Sequence, residues 1–106
     1  MPVNKFLIPH RDVIHVVDYS SILFFKSDNC YSHIHLMNGN TFVLIKSLSK
    51  VEREVEDNGF IRISQSFLVN VSCITGIHKK QRTVTIGSHI LPFTMPVREL
   101  VQLLAR

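Results

Sequence analysis

Residues 60–71 of this 106-residue chain read FIRISQSFLVNV, and they predict how the surrounding chain is arranged. Apolar and polar residues alternate on both sides of Ser64, Gln65 and Ser66, as in half-buried β-strands. These three residues are small or neutral and polar, with no Gly or Pro to make an ordinary turn. We therefore expect two strand halves that hold a short polar loop, residues 64–66, outside the core; this loop is called the knuckle below. A Gln there can offer a donor and an acceptor together, which suits the edge of an adenine, although a kinked strand without a partner would look the same.

Short runs rich in β-branched and aromatic residues follow one another along most of the chain, which is typical of β-strands. Residues 18–21 have the polar character of a single helical turn, and residues 27–29 that of a loop. Asn38-Gly39 favours a tight hairpin. Because strands do not alternate with helices, we expect antiparallel pairing. The predicted strands outside residues 60–71 cover residues 4–8, 13–17, 22–26, 31–36, 41–46, 74–78, 82–86 and 89–93.

Two helices are predicted. Ser49 and Glu52 have the spacing of a capping box, and they begin an amphipathic pattern that predicts a short helix over residues 48–58. Near the C-terminus, Thr94 is the predicted N-cap of a second helix, with Pro96 in its first turn. Strands thus outnumber helices, and the chain is predicted to be mostly β.

The formal net charge is only +4, but the charges are unevenly placed. Acidic residues crowd the first predicted helix, whereas residues 58–98 contain none. This asymmetry favours a basic face that binds a polyanion, although a one-signed solvated surface would give the same pattern. Arg62 lies inside a predicted strand and could equally be the structural partner of an acidic residue. The basic residues of the acid-free tract are Arg62, Lys79, Lys80, Arg82 and Arg98.

Several classes of protein are disfavoured by the sequence. No apolar run approaches the ~20 residues of a membrane span, and the N-terminus lacks the apolar core of a signal peptide, so we expect a cytoplasmic protein. Cys30 and Cys73 are expected to be free thiols. His33 and His35 share a strand face, but no further ligand accompanies them, so we expect no metal and no cofactor. Neither a nucleophile motif nor a Gly-rich phosphate loop is present, which argues against an enzyme.

The pattern aromatic-Ile-Arg-Ile-x-x-Ser-aromatic-aliphatic-Val-Asn in residues 60–70 resembles the signature of LytTR-type DNA-binding domains, the output modules of many bacterial response regulators. Four further segments are similar to the family in the same order: SILFF at residues 21–25, YSHIHL at 31–36, Ser47-Leu48 at the start of the family's short helix, and LPFT at 91–94. The family commonly has His-Arg where this chain has Ser64-Gln65, and Arg or Lys where it has Met95.

This resemblance implies a single domain over residues 1–106 with an elongated, largely antiparallel β-fold, one short internal helix and a C-terminal helix. It also implies sequence-specific binding of double-stranded DNA in transcriptional regulation, with loops of the β-fold entering the major groove. Typical members follow a receiver domain of a two-component system and bind paired sites as dimers. The alternative is a small β-rich protein-interaction module whose basic face binds an acidic partner.

Carried over to this chain, the resemblance implies three contacting segments: residues 27–31, the knuckle, and residues 95–98. Asn29 and Gln65 are assigned to base edges, and Arg98 to a base or a nearby phosphate. Ser64 and Ser66 are expected to hold the knuckle in shape. Asn70, at a strand end, is expected to be structural. The residues assigned to backbone phosphates are Lys79, Lys80 and Arg82.

Overall fold

The computed structural model describes residues 5–105. This part of the chain forms ten β-strands, two α-helices and two 3₁₀ turns. The helices are α1 (Leu48–Val55) and α2 (Val97–Leu104), and the 3₁₀ turns are Tyr19–Ser21 and Val71–Cys73. The strands are β1 (Lys5–His10), β2 (Val13–Asp18), β3 (Ile22–Asp28), β4 (Tyr31–Leu36), β5 (Thr41–Leu44), β6 (Phe60–Arg62), β7 (Phe67–Asn70), β8 (Ile74–His78), β9 (Thr83–Ile86) and β10 (His89–Pro92).

The strands form three sheets in which every pairing is antiparallel. The central sheet has five strands in the order β5-β4-β3-β7-β6, β1 and β2 form a separate hairpin, and the third sheet has the order β10-β9-β8. The molecule is elongated, with principal dimensions of 45 × 33 × 24 Å. The predicted mostly antiparallel β-fold with one internal and one C-terminal helix is therefore confirmed.

Strand β3 is buried on both faces. Four consecutive residues, Ile22, Leu23, Phe24 and Phe25, are no more than 8% exposed. Ile22 and Phe25 belong to a core with α1 and the β1–β2 hairpin, whereas Leu23 and Phe24 belong to a second core with the third sheet and α2. The pairing of β3 with β4 shifts register between Ile22 and Phe24. Because a bulge adds one residue to the alternation, Ile22 and Phe25 can share a core although they are three residues apart.

Helix α1 packs against the central sheet through a buried apolar stripe formed by Leu48, Val51 and Val55. Its N-cap is Ser47, whose Oγ accepts a hydrogen bond from the Lys50 amide (3.3 Å), so the prediction of Ser49 as the cap is wrong. The helix also ends at Val55 rather than residue 58, because residues 56–59 form turns in which the Asn58 amide bonds to the Val55 carbonyl.

The predicted N-cap of the second helix is also wrong. Pro96 is the N-cap of α2, and α2 begins at Val97. Thr94 is not the cap because Pro96, two residues later, still has an extended backbone (φ −61°, ψ 138°), so the helix starts after it. The Thr94 amide donates to the Ile63 carbonyl (2.9 Å), which ties the segment before α2 to the residue that precedes the knuckle. The other predicted elements differ from the observed ones mainly at their ends.

Three strand boundaries show why the ends differ. Strand β3 continues through residues 27 and 28, which were predicted as loop, because the turn needs only Asn29, at φ 55°, and Cys30. Strand β1 continues through Pro9, since its outer edge is unpaired and needs no amide there. Residue 4 of the first predicted strand lies outside the described residues. Strand β9 begins at Thr83 because Arg82 has φ 55°.

Asn70 is buried and links the end of β7 to the start of the neighbouring strand β3, which confirms the structural role expected for it. Its Nδ2 donates to the carbonyls of Tyr19 (3.2 Å) and Ile22 (2.9 Å), and its Oδ1 accepts from the Ser72 amide (3.1 Å). The side chain thereby satisfies groups of both 3₁₀ turns and of β3. Losing one partner of such a buried group costs about 1–3 kcal/mol.

A group of aromatic rings joins the central sheet to the third sheet. His35 of β4 stacks on Phe24, with ring centroids 4.3 Å apart and planes at 15°, and His89 of β10 meets Phe24 edge-on at 5.0 Å. Partial burial lowers the pKa of His35, and positive charge on His89, His33 and Lys26 lowers it further. The folded protein therefore favours the neutral imidazole of His35.

This lowered pKa predicts acid destabilisation. Below the ordinary histidine pKa of about 6.5, the unfolded chain binds a proton at His35 that the folded chain resists, so the free energy of unfolding should fall as pH falls from about 7 to 5. His35→Phe keeps a ring over Phe24 and should flatten this dependence, as measured by urea denaturation at each pH. His78→Gln, an exposed histidine outside the ring group, is the control. Equal pH dependence in wild type and His35→Phe would contradict the prediction.

Candidate nucleic-acid interface

The knuckle connects β6 to β7, which pair antiparallel from Phe60 opposite Asn70 to Arg62 opposite Leu68. Two strand halves around a polar loop were predicted, and the structure confirms this arrangement. Ser64 Oγ accepts hydrogen bonds from the amides of Ser66 and Phe67, both at 3.2 Å. A serine hydroxyl thus supplies the local turn that a Gly or Pro would supply elsewhere.

The side chain of Arg62 binds the backbone of the knuckle. Its Nε donates to the Ser64 carbonyl (2.8 Å) and its Nη2 to the Gln65 carbonyl (2.6 Å), while its Nη1 pairs with Glu52 Oε1 on α1 (3.0 Å). The expectation that Arg62 could be the structural partner of an acidic residue is therefore confirmed. Gln65 and Ser66 remain exposed, so the knuckle has a fixed backbone and an accessible side chain.

The knuckle lies between the two other predicted contact segments. On one side, the Ser27 amide donates to the Ser66 carbonyl (2.9 Å), and Gln65 shares an open cleft with Asn29 at the β3–β4 turn. On the other side, Gln65 shares a cleft with Met95 in the segment before α2. Arg98 is exposed in the first turn of that helix. The structure therefore brings residues 27–31, the knuckle and residues 95–98 to one end of the central sheet.

The turn between β8 and β9 contains the remaining predicted residues. Lys79 and Lys80 are exposed there. Arg82 makes structural contacts in addition to its predicted contact with a phosphate. Its Nη2 donates to the carbonyls of Thr94 (3.2 Å) and Met95 (2.8 Å). Its guanidinium carbon also lies 5.1 Å from the centre of the Phe93 ring. Arg82 thus connects the turn to the segment before α2, and its assignment to a phosphate stays a prediction.

Two parts of this surface were missed by sequence reasoning. Lys26 of β3 is exposed, lies opposite Phe67 in the strand pairing, and has its Nζ 6.0 Å from the centre of the Phe67 ring. Ser47 and Ser49 at the start of α1 line the same cleft as Asn29 and Gln65. Lys26 lies outside the acid-free tract, so the charge pattern gave no signal for it. Its position three residues before Asn29, a predicted contact residue, was a signal that could have identified it.

The histidines, cysteines and helices of the described residues bear on metal binding, disulfide formation and membrane spanning. Among residues 5–105, no three His, Cys, Asp or Glu side chains lie close enough together to hold a metal ion. His33 contacts Asp28 instead (2.9 Å). Cys30 and Cys73 are both free thiols. Neither helix of this part of the chain is long and apolar enough to cross a membrane.

The geometry of Arg82 gives a stability prediction. Arg82→Ala removes two hydrogen bonds to the carbonyls before α2 and should lower the free energy of unfolding by about 1–2 kcal/mol. Lys80→Ala, in the same turn, should change it by less than about 0.5 kcal/mol. Urea denaturation measures both values. Equal effects of the two substitutions would mean that the hydrogen bonds of Arg82 add nothing to stability.

Comparison with known proteins identifies the family. The profile of the LytTr DNA-binding domain matches residues 12–99 of the chain. A search of curated proteins gives no match. Among solved structures, the LytTr DNA-binding domain of a methyl-accepting/DNA response regulator from Bacillus cereus is similar, with a TM-score of 0.77 and 18% identity over 98% of both chains. That likeness shows a shared fold, and the profile covers most of the sequence. The chain therefore belongs to the LytTr DNA-binding domain family.

Proposed function

We propose that this domain reads a specific sequence of double-stranded DNA in the regulation of transcription, using loops of its β-fold. The observation that carries the proposal is the place of Gln65, which is exposed on a fixed backbone between the other two predicted contact segments. Membership of the LytTr family supports DNA as the partner and transcription regulation as the setting.

Readout by loops follows from the chemistry of the two helices. On α1, Glu52 and Glu54 each bind a basic residue of the fold, Arg62 and Lys46 respectively, and their charge disfavours an approach to phosphates. On α2, one face is committed to the core through Leu100, which leaves Arg98 as the basic side chain of the first turn. Neither helix therefore offers the polar and basic surface that a recognition helix needs.

We assign the residues as follows. Gln65 and Asn29 contact base edges, because a carboxamide presents one donor and one acceptor, as adenine requires in the major groove. Arg98 contacts a base or a nearby phosphate. Lys79, Lys80 and Arg82 contact phosphates, which adds affinity without sequence information. Ser64 and Ser66 keep the knuckle in the conformation that presents Gln65.

The family setting supports two broader proposals. The first is that the domain binds paired sites as a dimer, with one copy on each half-site. The second is that it works with an upstream receiver domain, as the output module of a bacterial response regulator; the similar domain from Bacillus cereus belongs to a protein described as a response regulator. A cytoplasmic location and the absence of catalytic activity belong to the same proposal.

The assignment of Gln65 predicts a change of base preference. Gln65→Ala should weaken binding to the selected site by roughly 1–3 kcal/mol and change binding to random DNA much less, because only a base contact is lost. Gln65→Arg should shift one position of each half-site towards guanine. Selection of sites from a randomised pool tests both, with Gln102→Ala as a control for an exposed Gln on α2. Identical preferences in all four proteins would remove Gln65 from base readout.

The assignment of Lys79 and Lys80 predicts an effect of salt. Replacing each with Ala should weaken specific and random DNA alike and lower the slope of log affinity against log salt concentration by about 0.9 per lysine. Lys5→Ala is the control, because Lys5 pairs with Asp18, at the opposite end of β3 from Asn29. An unchanged slope in the double variant would place this turn outside the interface. Binding of acidic proteins in place of DNA would support the interaction-module alternative.

A further inference from the structure

Arg62 donates hydrogen bonds to the backbone of the knuckle, the loop proposed to read bases. Its side chain is 24% exposed, and it engages three acceptors through three nitrogens: the carbonyls of Ser64 and Gln65, and the carboxylate of Glu52. The two carbonyls belong to the peptide planes on either side of the Gln65 Cα. Since each peptide is planar, holding both oxygens restricts both backbone dihedrals of Gln65. What stays free is the Gln65 side chain.

We propose that Arg62 and Glu52 are positioning residues that fix the knuckle before DNA arrives, so that the sequence preference of Gln65 depends on an ion pair made by α1. This inference rests on the proposed function and names a determinant of its specificity that contacts no base. Only the arginine side chain fits these contacts, because a planar guanidinium donates from three separate nitrogens, whereas a lysine ammonium donates from one. A lysine at position 62 keeps the charge but cannot hold the same three acceptors.

Glu52 anchors the Arg62 guanidinium to helix α1. It follows Val51 on α1, and Val51 and Val55 are completely buried, so the helix backbone that carries Glu52 is anchored in the core. With Glu52 in place, the guanidinium cannot turn away from the knuckle carbonyls without breaking an ion pair. Without it, Arg62 is free to leave the carbonyls for water or for a DNA phosphate. A loop that must then order itself on binding loses affinity, because part of the interaction free energy offsets its conformational entropy.

The proposal predicts that Glu52→Ala changes affinity for the selected site in the direction opposite to that expected from charge alone. Glu52→Ala removes a negative charge near the interface, which by itself should strengthen binding to all DNA. If Glu52 positions the knuckle, the same substitution should instead weaken binding to the selected site, roughly tenfold, and leave affinity for random DNA equal or higher. Glu54→Ala is the matched control, because it removes the same charge from the same helix but from a residue that pairs with Lys46.

The experiment compares wild type, Arg62→Lys, Glu52→Ala, Glu52→Gln and Glu54→Ala for affinity to the selected site and to random DNA. The ratio of the two affinities should fall for the Arg62 and Glu52 variants, less so for Glu52→Gln, which keeps an acceptor oxygen. It should not fall for Glu54→Ala. The salt slope of Glu54→Ala should equal that of wild type, and a steeper slope in the Glu52 variants would support the release of Arg62 from the knuckle to a phosphate. If Arg62→Lys fails to fold, the Glu52 variants decide the result.

A second measurement needs no DNA. Amide hydrogen exchange of Ser66 and Phe67, whose amides bond to Ser64 Oγ, should speed up in the Arg62 and Glu52 variants and not in Glu54→Ala. Unchanged exchange together with unchanged discrimination would overturn the inference alone. A wild-type protein that selects no DNA sequence would overturn the proposed function and this inference with it. A raised affinity of Glu52→Ala for every DNA, the selected site included, would overturn the inference, because the loss of a negative charge is enough to explain it.

Discussion

Burial of strand β3 on both faces is the constraint on which the rest of the structure depends. Phe25 faces a core made with α1 and the β1–β2 hairpin, and Phe24 faces one made with the third sheet and α2. Removing either ring by substitution with Ala is expected to cost about 3–5 kcal/mol, a large part of the stability of a domain this size. Strand β7, the neighbour of β3, is also buried along its whole length, and the loops at the ends of these two strands remain exposed for recognition.

The interface follows from this arrangement. At the end of the sheet where β3 turns into β4, the β6–β7 knuckle is tied to β3 through the Ser66 carbonyl and to the segment before α2 through the Ile63 carbonyl. These two backbone hydrogen bonds place three loops side by side. Arginines then stiffen two of the loops from within, Arg62 at the knuckle and Arg82 before α2. Part of the basic charge of the acid-free tract thus organises the surface that the proposal assigns to DNA.

Local pattern was a good guide to the strands and a poorer one to the ends of elements. Strand β4 covers residues 31–36, as predicted, because alternation with a buried face specifies a strand wherever it lies. The caps of both helices were misplaced by two residues. Ser47 and Ser49 have the same side chain, and the structure caps the helix with Ser47, next to Lys46, whose carbonyl accepts a hydrogen bond from Ser32 Oγ (2.8 Å). A hydrogen bond between residues 14 apart leaves no mark in the local sequence.

The sequence by itself determined the mostly β composition, the polar knuckle between two strand halves and the uneven charge, because each depends on residues that are neighbours along the chain. The family signature around Gln65 likewise depends on residues that are neighbours along the chain. Only the tertiary structure decided what Arg62 and Arg82 do, since a guanidinium has the same chemistry in any sequence and its role depends on which oxygens lie within hydrogen-bonding distance. The Glu52 carboxylate is brought close to Arg62 by the packing of α1 against the central sheet, and the Thr94 and Met95 carbonyls are brought close to Arg82 by the pairing of β9 with β10. Pairing and packing of elements distant in sequence therefore gave these contacts, whereas the Ser64 and Gln65 carbonyls that Arg62 also binds lie only two and three residues further along the chain.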